Sequence, residues 1–117
     1  MGRLLALRHR HVIALGGADV NLARAYFGQV LAAEALKIAR ETRDGFDLHL
    51  RNARLLESQG VLSHAQTLQV EVARDAAQRQ VNRAELEHDN AVASQKTAEA
   101  NLAAAKASVT TARINLG

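Results

Sequence analysis

Stepping alternately by three and four residues from Leu22 passes Leu22, Ala25, Gln29, Ala32, Leu36, Ala39, Arg43, Phe46, Leu50 and Ala53; eight of these ten are apolar. The same step from Val70 passes Val70, Arg74, Ala77, Val81, Ala84, His88, Ala91, Gln95, Ala98, Leu102, Ala105, Val109, Ala112 and Leu116; eleven of these fourteen are apolar. A spacing that averages 3.5 residues keeps one face of a helix against a partner only if the helices supercoil. The pattern therefore predicts two helical arms, residues 20–59 and 64–116, of about 60 and 80 Å at 1.5 Å per residue. The second seam is built mainly from alanine, which lets helix axes approach closely but buries less area per turn than leucine. Gly28 and Gly45 weaken the first arm by about 1 kcal/mol each relative to alanine. They are read as places where another helix would come close.

Between the arms lies Arg54-Leu55-Leu56-Glu57-Ser58-Gln59-Gly60-Val61-Leu62-Ser63-His64-Ala65-Gln66, a helix stop followed at once by a helix start. Gly60 suits the left-handed residue just past a helix end, with Val61 folding back toward Leu56. Ser63 and Gln66 have the S-x-x-Q spacing of a capping box, in which each side chain would bond the other's backbone amide. So short a link makes antiparallel neighbours. The fold expected is all-α: one long antiparallel two-helix coiled-coil hairpin with its tip at Gly60. It would form a single domain over residues 1–117, with residues 1–18 as a separate N-terminal segment. Residues 3–15 would make a short helix ended by Gly16-Gly17, with Asp19 capping the first arm. That short helix would fold beside the unmatched end of the second arm.

Composition supports this picture. The 117 residues contain no proline and only three aromatics, Tyr26, Phe27 and Phe46. Much of the apolar content is alanine, so an elongated shape is expected rather than a round core. The net charge is +3. Arg3, Arg8 and Arg10 cluster near the N-terminus, where they would be solvated or touch phosphate or anionic lipid. The absence of cysteine excludes disulfides and cysteine-based zinc sites. No run approaches the roughly 18 apolar residues of a membrane span. Arg8-His9-Arg10-His11 interrupts the apolar start, so no signal peptide is read in this chain.

Catalytic chemistry finds no foothold. His9, His11, His49, His64 and His88 are scattered, and no pair has the i,i+4 spacing of helical metal ligands. Glu85, Glu87 and Asp75 lie on helix flanks among arginines, as a solvated charged face would. Gly16-Gly17 lacks the Lys-Ser/Thr of a phosphate loop. No catalytic, cofactor-binding or metal site is assigned, and the chain is read as a non-enzyme.

Three stretches together resemble the TolC-type outer-membrane efflux proteins, over about residues 20–93. Ala23-Arg24-Ala25-Tyr26-Phe27-Gly28 through Leu36-Lys37-Ile38-Ala39 is similar to that family's ascending helix. Gly60-Val61-Leu62-Ser63 is similar to its hairpin tip, and Leu68-Gln69-Val70-Glu71-Val72-Ala73 to its descending helix. The chain departs from the family in lacking its β-strands, its second helical repeat and the acidic residue shortly after the tip. Residues 98–117 instead resemble the hairpins of periplasmic adaptors, membrane fusion proteins of the AcrA and HlyD kind. Arg54, Leu55 or Leu56, and Ser63 imitate the tip pattern of that family.

The resemblance implies a periplasmic hairpin of a channel in a tripartite efflux or secretion system, belonging to an outer-membrane-associated parent protein. Such hairpins pack side by side into an α-helical tunnel and mesh tip to tip with an adaptor. The expected partner surface is the tip, Gly60, Val61, Leu62 and Ser63, flanked by Arg54. Self-association through the flanks, at Leu31, Ile38, Leu48 and Leu55, is expected as well. Two alternatives stay open: an adaptor hairpin or a chimera of the two, and, more remotely, a cytoplasmic coiled coil whose basic tail binds nucleic acid or membrane. The mixed charges along the rod, with no basic stripe on one face, speak against a nucleic-acid partner.

Overall fold

The computed structural model describes residues 2–116. They form two helices, α1 (Gly2–Ser58, 57 residues) and α2 (His64–Leu116, 53 residues). No proline interrupts either helix, and alanine, leucine, arginine and glutamine favour helix throughout. The all-α antiparallel hairpin is the observed fold.

Burial follows the 3.5-residue rhythm. Every seam position from Leu22 to Ala53 in α1, and from Val70 to Ala112 in α2, is buried or half-buried. The last seam position, Leu116, lies outside the described side chains.

The helices contribute to two compact units, Leu31–Asp89 with the tip, and a stem of residues 2–30 and 90–116. In the tip unit Leu36, Val81 and Ala84 form a small core, with Ala39 packed against it. Ala53 and Val81 keep only 1% of their surface exposed. In the stem the buried apolar residues are Ala18, Ala98 and Leu102. Among the described residues, five of the nine buried apolar side chains are alanine, so each turn buries little area.

One expectation fails. α1 runs unbroken through Gly16-Gly17, so there is no separate short N-terminal helix and Asp19 caps nothing. Neither glycine has positive φ. Two glycines cost a helix only about 2 kcal/mol together. Ala18 is buried and Leu15 half-buried on the seam, so continuing the helix keeps that face against α2. Residues 7–11 do lie beside the far end of α2, as expected, but as a continuation of α1. Gly28 and Gly45 have no atom within 4 Å of where a Cβ would stand. Among the described residues, therefore, no other helix comes close to either.

Candidate functional site: the tip and the outward stripes

The turn is built as its residues dictate. Gly60 has φ +77°. Its N–H donates to the Glu57 carbonyl (3.0 Å), and the Val61 N–H donates to the Leu56 carbonyl (2.9 Å). These two bonds are the paired closure of a Schellman C-cap. The Val61 side chain stays 66% exposed, so it folds back through its backbone rather than by burying itself on Leu56. Across the turn, the Gln66 N–H donates to Ser63 Oγ (3.2 Å), and the Ser63 N–H donates to Gln66 Oε1 (2.9 Å). The expected capping box is thus complete. Thr67, almost fully buried, bonds the Ser63 carbonyl through its N–H (3.1 Å) and hydroxyl (3.4 Å).

The five residues expected to meet a partner do not stand alike. Gly60, Val61 and Ser63 are exposed, while Leu62 is half-buried. Arg54 is exposed and faces Glu71 on the opposite arm at 4.0 Å. His64 Nδ1 lies 2.7 Å from Glu57 Oε1, joining the two ends of the turn.

A polar clamp between the arms, which periodicity alone did not reveal, lies below the tip. Arg43 and Arg74 are the charged exceptions on the two seams. Arg74 Nε donates to Asp47 Oδ1 at 2.6 Å, and Arg43 Nη1 donates to Gln78 Oε1 at 3.1 Å. Arg43 also lies 3.8 Å from Asp47 and 2.8 Å from Asp44. The hydrogen bond from Arg74 holds the Asp47 carboxyl below its ordinary value, aided by the charges of Arg74, Arg43 and Arg51. Arg74 is raised in turn by its bonds to Asp47 and Asp75. Charged seam residues that pair in only one alignment select the register of a coiled coil. The available signal was the spacing of Arg43 and Asp47, four apart on one helix. In the stem, Gln95 is another polar seam residue. Its Nε2 donates to Glu99 (3.1 Å), whereas its buried Oε1 has no partner among the described residues.

Both helices carry a further uncharged stripe outside the seam; on α2, Ala93, Thr97, Ala107 and Thr111 of it also line clefts against α1. On α1 in the tip unit it passes Leu31, Ala35, Ile38, Thr42, Gly45, Leu48, Asn52 and Leu55, all exposed, none charged and spaced by three or four. Leu31 is 71% exposed and Leu55 57%. On α2 in the stem the stripe is Ala93, Thr97, Ala100, Ala104, Ala107, Thr111 and Ile114, again exposed, uncharged and alternating by four and three. The threonines spend their hydroxyls on their own helix: Thr42 bonds the Ile38 carbonyl (2.9 Å), Thr97 that of Ala93 (3.1 Å) and Thr111 that of Ala107 (3.0 Å). What they turn outward is chiefly methyl. In a free-standing pair of helices, positions opposite the seam are normally the most polar.

Among the described residues no group of three or more histidine, aspartate or glutamate side chains gathers as a metal site. No helix there is long and apolar enough to cross a membrane. Set against protein-family models, curated proteins and solved structures, the chain matches none.

Proposed function

We propose that this chain is an assembly module, a helical hairpin that packs laterally against other hairpins and presents its tip to a partner. The observation that carries the reading is the second, outward stripe at 3.5-residue spacing. A helix with two such seams is suited to neighbours on two sides, as in a wall of helices, rather than to one partner alone. The exposed, uncharged residues of α1 from Leu31 to Leu55 form such a seam, with Thr42 also lining a cleft against α2.

Taken with the motifs at residues 23–39, 60–63 and 68–73, this points to the periplasmic hairpin of a TolC-like channel in a tripartite efflux or secretion system. The lateral stripe would build the tunnel wall, and the tip would dock with an adaptor hairpin. Val61, exposed at the tip turn, supports a contact role, since the turn itself needs only its backbone. An adaptor hairpin is the second reading, favoured by Ala98 to Leu116 and by Arg54 beside the tip.

Two variants separate lateral packing from tip docking. Ile38→Glu with Leu48→Glu places charge on the outward stripe, and sedimentation should show smaller assemblies than the wild type with unchanged helix content. Leu62→Ser removes an apolar group at the tip while leaving the Gly60 stop and the Ser63–Gln66 box. It should weaken binding to an adaptor hairpin by about 1 to 3 kcal/mol. Wild-type assembly by the doubly charged variant, or wild-type affinity for Leu62→Ser at equal helicity, would remove the corresponding half of the proposal.

A further inference from the structure

All twelve acidic residues of the chain lie between Asp19 and Glu99. Residues 2–18 and 100–116 contain Arg3, Arg8, Arg10, Lys106 and Arg113 and no aspartate or glutamate. The chain between them holds ten basic residues against those twelve acids, so the net positive charge belongs to the stem alone. The structure brings these two segments together, because Arg8 and His11 of α1 share a cleft of about 360 Å³ with Ser108 and Thr111 of α2. Five cations thus gather at one end of the stem unit with no acid among them.

The same end is apolar. At 100° per residue, Leu5, Val12, Ile13 and Val20 fall, with His9 and Gly16 between them, within an arc of about 100° on the side of α1 away from its seam. Leu5, Val12 and Ile13 are 66%, 54% and 60% exposed, and Ile114 on α2 is 73% exposed. Arg3 and Arg10, seven apart, border this arc on one side and Arg8 on the other. Apolar side chains bordered by arginines, on a helix too short of apolar residues to cross a bilayer, suit the boundary between headgroups and acyl chains. A nucleic acid would engage the cations and leave the apolar arc in water.

We infer that the stem end binds the surface of an anionic membrane, with Leu5, Val12 and Ile13 entering the headgroup boundary and Arg3, Arg8, Arg10, Lys106 and Arg113 contacting lipid phosphates. This inference does not rest on the assembly role proposed for the outward stripes and the tip.

The test is flotation of the full chain with phosphatidylcholine vesicles made with and without phosphatidylglycerol. Binding is expected only where phosphatidylglycerol is present, and it should weaken as salt screens the charges. Replacing Arg3, Arg8 and Arg10 together by Gln should lower affinity about a hundredfold, at roughly fivefold per cation. Val12→Asn with Ile13→Asn should lower it at least about tenfold by removing the buried apolar area. Lys106→Gln with Arg113→Gln, on the other helix, gives the same readout should the α1 variants fray. Helix content measured alongside identifies any variant that has unfolded. Equal binding to both kinds of vesicle, or binding to neither, would overturn the inference. So would duplex DNA bound as tightly as the anionic vesicles, with the Asn variants behaving as wild type toward both.

Discussion

Replacing glycine by alanine should have opposite signs at Gly60 and Gly45, and the structure supplies both magnitudes. Gly60 sits at φ +77°, where a residue with a Cβ is disfavoured by about 1–2 kcal/mol. An added Cβ there meets nothing within 4 Å, so the backbone conformation is the whole native-state penalty. Alanine also restricts the unfolded chain, which returns about 0.4–1 kcal/mol. The net expectation is a loss of about 1 kcal/mol for Gly60→Ala. Asparagine, which tolerates the left-handed region, should cost less.

Gly45 lies inside α1 and likewise has open space around its Cβ position. There alanine should gain about 1 kcal/mol. The two variants should therefore differ by about 2 kcal/mol. Urea unfolding followed by helical ellipticity measures it, provided that the slope stays constant across variants so that the midpoint reports stability. The reasoning fails if Gly60→Ala is as stable as the wild type. It also fails if Gly45→Ala is less stable at concentrations where sedimentation shows the chain monomeric, since no neighbour then stands against a position that is open within the chain.

Other consequences follow from the clamp, the cap and the seam. The depressed Asp47 carboxyl contributes stability that is present above its unfolded value of 3.8 and lost as pH falls through the lower folded value. Melts taken through the acid range should show this loss, and Asp47→Asn should flatten it. Ser63→Ala removes the hydroxyl that accepts from Gln66 and should cost about 1 kcal/mol in the same urea assay, with a neutral result denying the cap any role. Gln95→Leu eliminates a buried acceptor without a partner and should raise stability by about 1 kcal/mol. A fall instead would indicate that the glutamine is satisfied in a way the two helices do not reveal.

Two arms, one reversal and the identity of the seam were written in the sequence because their causes are local or periodic. Gly60 and Ser63 act through hydrogen bonds to residues three to five positions away, so neighbours in sequence suffice to recognise them. The seam could be read because a 3.5-residue spacing selects one face of a helix whatever lies against it. The continuity of α1 through Gly16-Gly17 was not legible. Helix propensity there is poor, and the deciding contribution comes from the face around Leu15 and Ala18 that lies on the seam. Nor could the pairing of Arg74 with Asp47 be read, since 27 positions separate them and the register between the arms decides which side chains meet. At the tip, composition marked Val61 and Leu62 alike as apolar. Only the folded turn exposes the first and half-covers the second, because side-chain burial depends on where the returning helix passes.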